Sequence, residues 1–468
     1  MTSRSIAFRR PFALRACAAA VVMGLSLAVA APAQAENLMD VYRQALQSDP
    51  VLKQAEAQKR FGQASEAQSR SLLLPQINGQ VSFNDSHGIQ TGAQPVLDAT
   101  TGNTTLVNTS NHTGGRSRTD SIGLQQVLFD LGKFSQLRAS KASAEASEAQ
   151  LVAARQNLIL RVAQAYFTVL TDEDQLKFAK SNAASLKKQL AQSQAKYDVG
   201  FAPITAVADS KAAYDIAVAE VISAENTVFN DRQALEQITG QTPGTLDALT
   251  DKVPLSAPQP NDINKWVATA TASNPSLQAQ RDNVEAALHN VTTARAARLP
   301  TLDASVSYSR NPSWGKVGYG PFADNRSTGT TVGLVLSVPL FAGGGTAAQI
   351  RESIAQRDQA EDVLEQDRRT TVSNTRNAFN AIAAGISSVQ AEKAAVTSAD
   401  EALKSTQAGF QVGTSTIVDV LNAQSVLFQA QSSYSQARHA LVINRLNLKF
   451  AAGMLSVKDL ESVNRLLQ

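Results

Sequence analysis

Leu74-Pro75-Gln76-Ile77-Asn78-Gly79-Gln80-Val81-Ser82-Phe83 is a change of period written in ten residues. Upstream, the apolar residues recur every three or four positions, as on a helix. From Gln76 on, Ile77, Gly79, Val81 and Phe83 fall on one face and Gln76, Asn78, Gln80 and Ser82 on the other. Such alternation belongs to a strand. Pro75 sets the boundary, because the residue before a proline is pushed out of the α region. The same switch is written again at Leu299-Pro300-Thr301-Leu302-Asp303-Ala304-Ser305-Val306-Ser307-Tyr308.

Working outward, other landmarks also return in order. Ser48-Asp49-Pro50-Val51-Leu52 recurs as Ser273-Asn274-Pro275-Ser276-Leu277, Leu128-Phe129 as Leu340-Phe341, Val199-Gly200 as Val412-Gly413, and Gly240 as Gly453. A duplicated unit of this size implies an internally pseudo-symmetric protein. The expected division is a first repeat over 36–241, a connector over 242–260 and a second repeat over 261–468. The connector is rich in Pro, Thr and Asp; a flexible linker between independent domains is the alternative.

Residues 1–35 read as a secretory signal peptide. Arg4, Arg9, Arg10 and Arg15 make the positive start, Ala16 to Ala31 is apolar and small, and Ala33-Gln34-Ala35 is a cleavage site. An uncleaved anchor is the alternative. The formal charge of +3 falls to −1 without the four leader arginines, so the basic balance gives no argument for nucleic acid. Cys17, the one cysteine, goes with the leader, leaving an exported chain without disulfides. His87, His112, His289 and His439 have no metal-ligand spacing and are expected on solvated or helix surfaces. Gly343-Gly344-Gly345 lacks the Lys-Ser/Thr of a nucleotide loop, and no nucleophile–base motif is present. The expectation is a protein that is not an enzyme and uses no cofactor.

No stretch after Glu36 reaches the ~18 consecutive apolar residues of a membrane helix. An exported chain can still cross a membrane as a closed β-barrel. Four strands of ~10 residues are expected, near 76–84, 120–129, 301–309 and 330–341, joined by polar loops at Asp85–Thr119 and Asn311–Thr328; that length crosses a bilayer when tilted. Four strands close no barrel alone, and an open edge in lipid leaves backbone groups unpaired at several kcal/mol each. Strands from several chains must therefore join.

The helical pattern is long. A first helix is expected from Leu38 to Leu73. Lys133 to Tyr197 holds no proline and no glycine, about 95 Å of helix at ~1.5 Å per residue. Its counterpart runs from Thr346 to Phe410, interrupted only by Gly385 and Gly409. Such lengths suggest coiled-coil-like packing. Gly200 and Gly413 sit where left-handed caps belong, and a new helix follows each, over about 204–238 and 416–452. The chain thus makes a helical hairpin at each of two pseudo-equivalent tips.

Three stretches carry a resemblance: Glu36-Asn37-Leu38-Met39-Asp40-Val41-Tyr42, Leu74-Pro75-Gln76, and Gly413-Thr414-Ser415-Thr416-Ile417-Val418-Asp419-Val420-Leu421. In this duplicated plan they resemble the TolC family of outer-membrane efflux and type I secretion proteins. The resemblance implies an α+β membrane protein that forms a homotrimer, with a 12-stranded barrel in the outer membrane continued by a periplasmic helical barrel. It also implies a passive duct whose tips form the periplasmic entrance, with a periplasmic adaptor and an inner-membrane transporter as partners and lipid around the barrel.

By the same resemblance, family members close the entrance with a polar lock of an Asp on one tip against a Tyr and an Arg on the other. Those positions here are Ala206, Phe410 and Ser415, beside a retained Thr205. They offer no carboxylate, phenol or cation, so the lock cannot form in that version. The family's inner constriction maps to Asp419 and Asn422. Three copies of Asp419 would make a ring that favours cations, and crowding would raise its apparent pKa. Asp209, the pseudo-symmetric mate of Asn422, is either a second contributor or a solvated surface residue. Two competing readings are a trimeric coiled-coil surface adhesin or structural envelope protein with a β anchor, and a helical periplasmic adaptor. Both leave two internal strand pairs unexplained.

Overall fold

Proline and glycine cut the chain into its elements. The computed structural model describes residues 36–97, 99–250, 253–317 and 322–468. The expected leader lies outside the described residues. Helix α1 (Leu38–Ser48) is followed by α2 (Pro50–Ser71), so the single helix expected from Leu38 to Leu73 is two. Pro50 opens the second, and Asp49 caps it by accepting from the Leu52 N–H at 2.8 Å. The carboxylate of Asp49 is 1% exposed and takes two hydrogen bonds from Arg161, at 2.7 and 3.1 Å. In the second half, α5 (Ile263–Ser273) and α6 (Pro275–Ala296) meet at Asn274, which caps α6 through Ser276 and Leu277.

The strands are β1 (Gln76–Leu97), β2 (Thr104–Phe129), β3 (Thr301–Val317) and β4 (Ala323–Ser337), paired antiparallel in the order β1-β2-β3-β4. They correct the expectation of ~10-residue strands with long polar loops. The ladder continues through most of both polar segments, from Gln76 opposite Gln125 to Leu97 opposite Thr104. Strand pairing draws on backbone groups, which polar residues supply as well as apolar ones. Side chains add to it: Arg116 Nε lies 3.1 Å from Asp85, and Phe83 meets Trp314 edge-on at 6.4 Å. The fourth strand ends at Ser337, short of the expected 341, just before Pro339. Gly315 faces Gly115, and a Cβ there would come within 2.6 Å of the Gly114 carbonyl, so the two strands need glycine at this crossing.

Ile77, Val81, Val332, Leu334 and Leu336 on the sheet are all exposed within the protomer. No helix among the described residues is long and apolar enough to cross a membrane.

The remaining helices are α3 (Leu131–Asp198), α4 (Ile204–Thr239), α7 (Gly345–Val412), α8 (Ile417–Ala451) and α9 (Val457–Asn464). The two long ones have 68 residues each, about 100 Å at ~1.5 Å per residue. The main core sits at mid-height, where Leu38, Val41, Leu158, Tyr166, Phe167, Leu235, Leu446 and Leu460 pack together. The Tyr166 hydroxyl donates towards the carbonyls of Glu36 and Asp247, both at 3.0 Å, tying the start of the first helix and the connector to α3. The connector also pairs Leu246 with Glu36 and Leu249 with Leu467.

One histidine corrects its surface assignment. His439 on α8 is buried, with its ring 5.6 Å from that of Phe167 and its Nδ1 2.8 Å from the Thr171 hydroxyl. Burial pushes its pKa down to about 4.

Candidate functional site: the two helical tips

The long helices end because their last residues are followed by glycine in the left-handed region, φ +79° at Gly200 and +82° at Gly413. At the first tip the Gly200 N–H donates to the Tyr197 carbonyl and the Phe201 N–H to that of Lys196. Phe201 itself is 85% exposed. Helix α4 then starts at Ile204, after Pro203, without a side-chain cap. Thr205 and Asp209 are exposed, and Ala206 is buried. Among the described residues Asp209 makes no ion pair or side-chain hydrogen bond. The α3–α4 hairpin is pinned by the Ser193 and Ser210 hydroxyls, both buried and 2.9 Å apart; Ser210 also donates to the Ala206 carbonyl.

The second tip is built more tightly. The Gly409 carbonyl accepts from the N–H groups of Gly413, Thr414 and Ser415. A Cβ at Gly409 would lie 2.5 Å from the Ser415 hydroxyl, so this glycine lets the turn fold back on the helix. The sequence marked Gly409 only as an interruption. Thr416 and Asp419 form a reciprocal capping box: Asp419 accepts from the Thr416 N–H at 2.8 Å, and Thr416 Oγ1 accepts from the Asp419 N–H at 3.2 Å. The Thr416 hydroxyl also donates to Asp419, at 2.7 Å. These donors hold the Asp419 carboxyl below the usual carboxylate range. Within one protomer these donors stabilise the ionised form, and any rise from crowding in a ring of three would start from this lowered value. Asn422 is exposed one turn further along.

The predicted lock positions are only partly brought together. Phe410 and Ser415 share the second tip, where Phe410 packs on the Ala399, Leu403, Val420 and Leu427 cluster. No hydrogen bond or ion pair among the described residues joins Ala206 to either. Lys196, which sequence reasoning passed over, takes the place across from Phe410: its Nζ lies 4.1 Å from the ring centroid. A lysine in the last turn of α3 reads from sequence as ordinary helix-end charge, so no local signal singles it out. This pair helps line a cavity of about 550 Å³ between α3 and the helices α7 and α8. Gln189 lines it, and its amide nitrogen is buried without a partner.

Two hairpin tips on paired long helices, joined to a four-stranded sheet, set the fold. The family model for "Outer membrane efflux protein" matches residues 41–241 and 266–454. The chain belongs to the outer membrane efflux protein family. It is 33% identical over 456 residues to the outer membrane protein TolC of Escherichia coli K12, covering 96% of this chain and 88% of the relative. It is 28% identical over 429 residues to the alkaline protease secretion protein AprF of Pseudomonas aeruginosa, covering 91% and 86%. The outer membrane channel CmeC of Campylobacter jejuni superposes with a TM-score of 0.71 at 18% identity, covering 92% of this chain and 90% of that one. As a member of the outer membrane efflux protein family, this chain is an outer-membrane channel protein and not an enzyme. The adhesin and structural-anchor alternative finds no support in these likenesses.

Proposed function

We propose that three copies of this chain close a 12-stranded barrel in the outer membrane, and that their helices continue it as a tunnel through the periplasm. The protein then serves as the passive exit duct of a tripartite efflux pump or a type I secretion system. A periplasmic adaptor and an inner-membrane transporter are its partners, and lipid surrounds the barrel. The observation that carries this reading is the four-stranded sheet, whose outer strands β1 and β4 have no second neighbour among the described residues and whose Ile77, Val81, Val332, Leu334 and Leu336 are exposed. In lipid such edges must be paired, and β4 of one copy can pair with β1 of the next. The element order, two helices, two strands and a helical hairpin, occurs over 36–241 and again over 261–468, which supports two repeats with 242–260 as their connector.

The tips form the entrance. Ala206, Phe410 and Ser415 lack the groups of the family's polar lock, so the closed state leaks more than in a fully locked relative. Asp419, assisted by Asp209 and with Asn422 uncharged, makes the duct prefer cations. Purified protein that migrates as a heat-modifiable trimer and forms channels in planar bilayers bears the reading out; a monomer without channel activity sinks it. Asp419→Asn is expected to lower cation selectivity, read as a smaller reversal potential in a salt gradient. An unchanged potential removes Asp419 from the constriction.

A further inference from the structure

We propose that Lys196 and Phe410 form the latch that holds the two hairpins of each protomer together at the tip, in place of the missing polar lock. The proposal rests on the reading of the tips as the entrance and names the contact that keeps it shut.

Three observations converge. Each hairpin is held within itself, the first by the Ser193–Ser210 hydroxyl pair and the second by the apolar cluster around Leu403, Val420 and Leu427. Opening can therefore move one hairpin against the other without unpacking either. Next, the polar clamps between the hairpins sit beside the main core, well back from the tip. Thr171 meets His439 at 2.8 Å, and the Ser435 hydroxyl donates to Asp174 at 2.5 Å. From Asp174 to Lys196 is roughly 33 Å of helix at ~1.5 Å per residue. Over that length no hydrogen bond or ion pair joins the hairpins among the described residues. Finally, over the last turns of α3 before the tip the hairpins are separated by the cavity of about 550 Å³, which the unpartnered Gln189 amide lines. A lever of that length fixed at one end needs a contact at the other, and the Lys196 ammonium 4.1 Å from the Phe410 ring centroid supplies it.

The chemistry suits a latch. A cation over an aromatic face is attracted by the ring quadrupole, and the attraction survives partial hydration. It is worth about threefold in an equilibrium at an exposed site, so three latches parting together raise the open fraction by about thirtyfold. Losing the family's phenol at Phe410 removes a hydroxyl and leaves the ring face this contact uses.

The test is conductance of purified trimers in planar bilayers. Lys196→Met and Phe410→Leu each keep bulk and helix propensity while removing one half of the pair. Each is expected to raise the resting open fraction, and the double variant to raise it no further than either single one. Lys196→Arg and Phe410→Tyr keep a cation and a ring and are expected to stay at the wild-type level. Rescue by these conservative changes separates a latch from general packing. If Lys196→Met does not assemble, Lys196→Gln is read in its place. Wild-type trimers that form no channel overturn the entrance reading itself. Channels indifferent to Lys196→Met and Phe410→Leu, or effects that add in the double variant, overturn the latch alone.

Discussion

The two halves of this chain follow one plan and hold it together by different chemistry. Where the first two helices of each half meet, the first half sets an ion pair, the buried Asp49 with the partly exposed Arg161, where the second half uses the neutral Asn274. At the tip, the first hairpin starts α4 after Pro203 with no side-chain cap and is pinned by two serines. The second starts α8 with a full capping box and packs on an apolar cluster. Pseudo-symmetry thus fixes where the joints are, and the side chains decide how firmly each is set. The second tip is the stiffer body and the first the more yielding one. That ordering fits an entrance in which one hairpin moves as a unit against its neighbour.

Substitutions that break one half and spare the other put this contrast to work. The largest effect is expected at the joint. Asp49→Ala leaves Arg161 without its partner beside a buried site and should cost about 3 kcal/mol. Asn274→Ala loses only a cap, about 1 kcal/mol. Urea unfolding of the assembled protein ranks the two, and equal losses would mean that the joints are equivalent. Next comes the turn glycine. Gly413→Ala forces a Cβ into the left-handed region and should cost about 1.5 kcal/mol, seen as a lower thermal midpoint.

Caps give a finer contrast. Thr416→Ala removes the hydroxyl half of the capping box, leaving Asp419 its bond from the backbone N–H of residue 416, and should cost about 1 kcal/mol, whereas Pro203→Ala at the uncapped first tip should change stability by only a few tenths, about 0.3 kcal/mol. Hydrogen exchange of the first turns of α4 and α8 separates these outcomes, and equal protection loss at both tips would erase the distinction. The smallest effect is that of pH. Asp419 is held below its ordinary pKa by donors that exist only in the fold. Its contribution is complete above the unfolded carboxylate value and is lost as pH falls through the lowered folded value. Exchange protection at the start of α8 should therefore drop on acidification, and Asp419→Asn should flatten that drop. A slope unchanged in the variant assigns the titration to another group.

Much of this fold was legible in the sequence. The break at Pro75, the alternation after Gln76 and the glycines at 200 and 413 are local signals, and each marks a real boundary in the structure. The extent of the strands was not legible. The segment from Asp85 to Thr119 looks like a loop because it is polar, yet most of it pairs across a hairpin whose register is set by a partner strand. His439 misled for the same reason, since only the packing of α8 against α3 puts Phe167 over its ring. At the tip, the loss of the polar lock could be read from Ala206, Phe410 and Ser415, but its replacement could not. Lys196 and Phe410 are more than two hundred residues apart in the chain.

What the sequence determined by itself is the order and kind of the elements: a helical lead-in, two strands and a hairpin of helices, twice over. Periodicity, proline and glycine act within a few residues, so a one-dimensional reading reaches them. The tertiary structure decided how far the strands run, which histidine is buried, and which side chains face each other across the tips. Those outcomes depend on hydrogen-bond partners and packing neighbours from distant parts of the chain, and no local pattern encodes the distance between them.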